Sequence, residues 1–394
     1  MTARILYLSP NGAGTALVRS QVLPYLEGLR RAGHVIHLLT FERAAGGEAG
    51  PPAVDGWHPI RARRGGHLLV KVLDIAAGAL TALRVVRGQR IGLLHARSYV
   101  PAAIAWIVWR LTGTPFVFDM RGFLGEEYVD AGNWTRRDIR YRALRFAERR
   151  LLRDAAEVVV LTARAAERLR SEPAYARYAQ DQAISVVPCA VALERFRPRP
   201  TRRADPTLVY SGSLGMWYLL DEMIRVYAYA RELVPDLRLL VLNRDAPSLV
   251  RESLARTGVP EHGVEVRGAS FDEMPELLAG SHVGIALLKQ VGSKLGSSPI
   301  KVAEYLACGL PVVVNAALGD TDELVRAYGA GHVVESYAEK DLRAAGAAVA
   351  RLATDERARA NARRLAEDVF DVRAAVDVYL GVYRRVLSPS PAMA

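Results

Sequence analysis

Lysine is scarce in this chain: of 394 residues only Lys71, Lys289, Lys294, Lys301 and Lys340 are lysine, so almost all of the 53 basic residues are arginine. Cysteine is scarcer. Cys189 and Cys308 stand far apart and in no metal-ligand spacing, which excludes a disulfide framework and fits a reducing cytoplasm. Long apolar runs are missing too. The longest, 67–86 and 98–109, are interrupted by Lys71, Asp74 and Arg84 or are too short to span a bilayer, and both read as buried helices. The opening MTARILYLSPNGAG enters directly on a strand pattern and a glycine-rich turn, without a signal-peptide apolar segment. A cytoplasmic protein is expected, touching at most the inner face of an anionic membrane. Arginines interleaved with aromatics, helix-turn-helix spacing and zinc-finger spacing are all absent, which argues against nucleic acid as a partner.

Apolar residues make up 51% of the chain and charged residues 24%, with no low-complexity tract, so most of the chain is expected to be ordered. The length suits two domains of about 150–200 residues. Charge is unevenly divided. Residues 1–200 carry 30 Lys and Arg against 17 Asp and Glu, a net +13, whereas residues 201–394 carry 23 against 25, a net −2. A basic first half suits an anionic membrane face or a phosphate-bearing acceptor; the plainer reading is an arginine-rich solvated surface.

Short β-rich runs alternate with helical patterns. RILYLS (4–9), HVIHLLTF (34–41), GLLHA (92–96), PFVFDM (115–120) and EVVVLT (157–162) are separated by helices near 17–32, 67–87, 100–112 and 134–153, with a Gly/Pro loop up to about 65. FRPRPTRRADPT (196–207) interrupts the pattern as a hinge. It restarts with TLVYSG (207–212), LRLLVLN (237–243), VEVRG (264–268), HVGIALL (282–288), PVVVN (311–315) and GHVVES (331–336), and closes on an almost entirely helical tail. Such alternation predicts two doubly wound parallel sheets, Rossmann-like lobes facing across a cleft, with ligands at the carboxyl ends of the strands. The expected divisions are 1–199, 200–369 and a last helix, 370–394, packing back on the first lobe.

The chemistry concentrates in GSSPIKVAEYLACGLPVVV (296–314). Ser298 as N-cap and Pro299 as first helical residue would start a helix whose amides and positive dipole end can receive a phosphate. Lys289, Lys294 and Lys301 cluster within 13 residues, and compact ammonium charges suit a diphosphate. Glu304, one turn into the helix, can accept both hydroxyls of a ribose; alternatively it only counters the helix dipole. The NGAG turn (11–14) permits close backbone approach through Gly12 and Gly14. As a dinucleotide fingerprint it is weak, because Leu17 stands where a third glycine belongs, although Glu42 is acceptably placed for a ribose. Arg121 in DMRG can donate to an oxyanion or simply pair with Asp119. His95 reads as structural, Glu126 and Glu127 either as acceptor ligands or as solvated charges, and Asp320-Thr-Asp322 as a helix cap instead of a metal motif. Main-chain groups at Gly268, Ala269 and Ser270, with Arg244, are the expected nucleobase wall.

The run SPIKVAEYLACGLPVVV resembles the donor-nucleotide segment of glycosyltransferase family 4, the retaining GT-B enzymes. GHVIHLL, LLHARSYVPAA, DMRG, AERRLLRDAAEVVVLT, SVVPCAVALERFRP, YSGSLGMW, RGASFDEMPELLAGSHVGIALL and VYLGVYRRVL fit in the same order, so the resemblance covers nearly the whole chain. It implies transfer of a sugar from a nucleotide diphosphate sugar, UDP- or GDP-linked, without a required metal or other cofactor. The acceptor would be a sugar, a lipid-linked sugar or a natural product. Glu304 matches the second Glu of the family's E-x7-E motif, while Gly296 stands where the first, sugar-facing Glu belongs. The family's G-R opening of the second lobe reads Gly212-Ser213 here, and Tyr218 and Leu219 occupy its lysine position. The missing positive charge is then expected from Lys289, Lys294 or Lys301, with Arg121. Gly14 would close over the transferred sugar, and Ser297, Ser298, Pro299, Ile300 and Lys301 would line the diphosphate. A GT-B nucleotide-sugar epimerase and a non-catalytic partner of another transferase are the alternatives.

Overall fold

In a computed structural model that describes residues 2–43, 52–63, 68–243 and 247–388, the apolar runs become parallel strands. β1 (Arg4–Leu8), β2 (Val35–Glu42), β3 (Gly56–Arg61), β4 (Leu93–Arg97), β5 (Phe116–Met120), β6 (Glu157–Val160) and β7 (Ile184–Val186) form one sheet in the order β3-β2-β1-β4-β5-β6-β7. β8 (Thr207–Ser211), β9 (Arg238–Leu242), β10 (Val264–Arg267), β11 (Val283–Ala286), β12 (Val312–Asn315) and β13 (Gly331–Val334) form the other, in the order β10-β9-β8-β11-β12-β13. Every pairing is parallel, for example Ile5 with Ile36 of β2 and with Leu93 of β4. In both sheets the strand order reverses at the first strand, the switch point where doubly wound folds bind ligands. Each sheet is the doubly wound, Rossmann-like arrangement that the alternation predicts.

Strands covered on both faces must be apolar at successive positions. In β8, Val209 enters one core cluster while its neighbours Leu208 and Tyr210 enter the other. Among the described residues no helix is long and apolar enough to cross a membrane.

The chain divides into a first compact unit, Met1–Pro188 with Val372–Ala394, and a second, Cys189–Asp371. The division precedes the proline-rich stretch that marks the expected boundary at 199. Val191, Leu193 and Phe196 belong to the second unit's core, and Val191 bridges to Asp371. The last helix, Val372–Leu387, returns to the first unit. There Gly28 lets it approach, since a Cβ at that position would lie 2.6 Å from Val376.

Other elements differ from the sequence reading. β3 lies inside the expected loop; its Pro59 has no N–H to donate and is tolerated because β3 is an edge strand. The helix expected at 17–32 is two helices, Ala16–Gln21 and Leu23–Arg31, parted at Val22 with Pro24 in the first turn of the second. The helix expected at 134–153 is Ile139–Asp154.

Candidate active site

In the second unit, strand β11 leads through a short 3-10 turn, Gly292–Gly296, to the helix Ile300–Ala307. The expected cap is displaced. Ser298 Oγ accepts from the Cys189 N–H at 3.1 Å, and the N-cap residue is Pro299, which offers no side-chain cap. Ile300 is therefore the first helical residue. Gly296 is buried in the 3-10 turn, and Ser297 donates its N–H to the Lys294 carbonyl at 3.0 Å.

Glu304 is half-buried on this helix. Burial pushes its carboxyl up to about 7, against the pull of Lys301 and Arg195, and no described residue hydrogen-bonds to it. Lys301 is 6% exposed and donates to Tyr210 Oη at 3.0 Å. Its ammonium lies 3.4 Å from the ring centre of Tyr218 and 4.2 Å from that of Tyr210. Burial holds its pKa well below the usual lysine value, with Glu304 opposing. Gly212 makes this approach possible: its φ is +111°, and a Cβ there would stand 2.8 Å from Lys301 Nζ. Lys294, 5% exposed, lies 3.7 Å from the ring centre of Trp217. Lys289 is exposed and ties its N–H to the Trp217 carbonyl at 2.9 Å, while Tyr218 bridges Leu288. The loop after β8, where the sequence reading looks for arginine and lysine, thus carries two aromatic rings, and each covers a lysine from the segment after β11. Ser213 is exposed on the same loop and takes the Tyr210 hydroxyl on its carbonyl.

The expected nucleobase wall is only partly available. Ser270 donates its N–H to Glu273 at 2.8 Å; Gly268 accepts from Arg267 Nε at 3.4 Å; Ala269 packs against the second core; Arg244 lies outside the described residues. Arg195, missed in the sequence, stands beside this loop. Its guanidinium stacks 3.9 Å from the Phe271 ring centre and donates to the Phe271 carbonyl at 2.6 Å and Asp272 at 2.8 Å. Its Nε is buried without a partner, and its charge reaches Glu304. The signal was one more arginine in ERFRP, indistinguishable from its neighbours before folding. Asp320 occupies an N-cap position without a side-chain cap bond, whereas Asp322 accepts from the Ala317 N–H at 3.1 Å.

In the first unit the NGAG turn follows β1. Glu42 braces it, accepting from the Ala13 N–H at 2.8 Å and from the Thr40 hydroxyl at 2.6 Å, so this carboxylate is engaged by the turn. A Cβ on Gly12 would lie 2.3 Å from Glu42 Oε2. Gly12, Gly14 and Glu42 line a cavity of about 510 Å³. Arg121 pairs with Asp119 at 3.4 Å and shares Gln21 Oε1 with Arg97, whose contact is the shorter at 2.8 Å. Asp119 is fully buried; burial alone would raise its carboxyl, but Arg121, His95 and Arg97 hold it well below the usual range. His95 is fully buried, stacked on Tyr7 and bonded through Nδ1 to the Tyr383 hydroxyl at 2.7 Å, and burial lowers its pKa: it is structural. Glu126 is engaged by Arg136 at 2.9 Å and Tyr141 at 2.6 Å.

The Glycosyl transferase 4-like domain family matches residues 18–190, and the Glycosyl transferases group 1 family matches residues 205–355. No curated protein is a significant sequence match. Among solved structures, a sucrose-phosphate synthase from Thermosynechococcus elongatus is similar with a TM-score of 0.74 at 16% identity, covering 98% of this chain and 100% of that one. A glycosyltransferase from Rickettsia africae gives 0.71 at 16% identity over 99% and 100%. HepE of Anabaena, solved with UDP and glucose, gives 0.70 at 15% identity over 97% and 99%. The matched structures show the GT-B fold, and with the two glycosyltransferase domain families matched in succession over residues 18–190 and 205–355, the chain belongs to the family 4-type glycosyltransferases.

Proposed function

We propose that the chain transfers a sugar, with retention and without a bound metal, from a UDP- or GDP-linked donor held by the second unit to an acceptor held by the first. The observation that carries the donor assignment is the Glu304 carboxylate: half-buried at the carboxyl edge of its sheet, with no hydrogen bond donated to it among the described residues. A carboxylate so placed costs stability unless hydroxyls reach it, and a ribose supplies two. Lys301 and Lys294, below the Tyr218 and Trp217 rings, supply the positive charge for the diphosphate, and Arg195 with Phe271 forms one wall of the nucleoside. Stabilising the departing diphosphate is the main catalytic contribution, and the leaving phosphate takes the acceptor's proton, so no protein nucleophile is invoked. Arg121 and Gly14 are the first unit's contribution to the reacting groups.

The acceptor belongs to polysaccharide, glycolipid or natural-product assembly, and the basic first unit suits work at an anionic membrane surface in the cytoplasm. Gly296, with no carboxylate to offer the sugar, favours the non-catalytic partner as second reading. A thermal-shift panel of UDP, GDP and ADP with and without EDTA tests the assignment. One nucleotide should raise the melting temperature equally in both conditions; no response to any of them supports the second reading, and a response requiring manganese removes metal independence.

A further inference from the structure

Arginine ends or follows four of the five neighbouring strands β3-β2-β1-β4-β5 at the carboxyl edge of the first sheet: Arg63, Arg43 and Arg121 follow β3, β2 and β5, and Arg97 is the last residue of β4, with the NGAG turn after β1 between them. Beside that turn, Arg43, Arg63 and Lys71 line the cavity of about 510 Å³, a volume within the range of about 300–1,000 Å³ for small-molecule sites. The acids nearby are already engaged. Asp74 is paired with Arg63 at 3.0 Å, Asp119 is shared by Arg97 and Arg121, and Glu42 Oε1 holds the turn. Arg43 and Lys71 are exposed and have no carboxylate partner among the described residues. The cavity therefore offers two cations without a carboxylate partner among the described residues, Arg43 and Lys71, the latter 5.9 Å from the Tyr128 ring centre, and one carboxylate oxygen that the turn does not use, Glu42 Oε2.

We propose that the acceptor is a phosphorylated polyol seated in this cavity, its phosphate on Arg43 and Lys71 and a hydroxyl on Glu42 Oε2; this rests on the glycosyltransferase reading above. A phosphate dianion offers several acceptor oxygens to a forked guanidinium and an ammonium at once, whereas a neutral sugar leaves both cations unmatched. The phosphate belongs either to a free sugar phosphate or to the headgroup of a lipid-linked sugar.

The full chain is titrated with a hexose phosphate, the same hexose without phosphate, and that hexose on a short polyprenyl diphosphate in micelles, each with and without UDP. At least one phosphorylated ligand should bind about tenfold or more tightly than the bare hexose, and the double variant Arg43→Gln/Lys71→Gln should remove that advantage. Preference for the free or the micellar form identifies the source. Equal binding of hexose and phosphorylated hexose, or an advantage that survives the double variant, overturns the proposal. The UDP response of the same samples is read separately, so a failed donor assignment shows as loss of that response in the unsubstituted chain.

Discussion

The two sheets treat positive charge at their carboxyl edges in opposite ways. In the first, guanidinium groups share buried carboxylates: Arg97 and Arg121 surround Asp119, and Gln21 links them. In the second, ammonium groups lie under aromatic rings, and Lys301 has no carboxylate at ion-pair distance among the described residues. The first arrangement sets two guanidinium groups against one buried carboxylate, so the carboxylate's charge is met within the protein. In the second, Lys301 carries the desolvation cost of a buried cation against two ring faces and one tyrosine hydroxyl. Under the donor assignment proposed above, an arriving diphosphate would complete the electrostatics of this edge.

The largest effect should separate the two edges by sign. Arg97→Met deprives the buried Asp119 of one partner and should cost about 3 kcal/mol, whereas Lys301→Met removes a desolvated cation and should leave stability unchanged or raise it by about 1 kcal/mol. Melting midpoints of the two variants check this, and equal losses would erase the distinction.

Next comes the pH response of Glu304. Burial lifts its carboxyl from 4.5 to about 7, so the folded chain keeps a proton that the unfolded chain releases between those values. The stabilising contribution of the neutral form is present at low pH and is lost as pH rises through about 7. Glu304→Gln, neutral throughout, should therefore be more stable than the parent by about 1–3 kcal/mol at pH 8 and lose most of that gain at pH 5. Midpoints measured across that range give the sign directly.

The smallest effect lies in the first edge. Gly12→Ala pushes a methyl group against Glu42 Oε2 and should cost about 1 kcal/mol by displacing the brace on the NGAG turn. An unchanged midpoint would show that Glu42 can swing aside.

What could be read in advance follows from what is local. Parallel sheets, their switch points and the glycines that admit close approach are written in periodicities and in residues with special backbone freedom. β3 was hidden because Pro59 reads as a loop signal until the strand is known to sit at an edge. The split at Val22 depends on Pro24, visible in the sequence but outweighed by the helical pattern on either side. Ser298 had the right chemistry for a cap, yet Cys189, distant in sequence, takes its hydroxyl. Trp217 and Tyr218 meet Lys294 and Lys301 only because the loop after β8 is zipped to residues 287–289. The departure at 213–219 could be seen in the sequence, but its compensation required the register between two loops some seventy positions apart, which no local pattern encodes.

The donor assignment is tested most directly by titrating UDP and GDP into the parent chain and into Glu304→Ala by calorimetry. One of the two nucleotides should bind the parent, and the substitution should weaken it about a hundredfold while the melting midpoint stays within a few degrees of the parent or above it. Equal affinity in the folded variant, or no binding of either nucleotide by the parent, would contradict the assignment of Glu304 to the ribose.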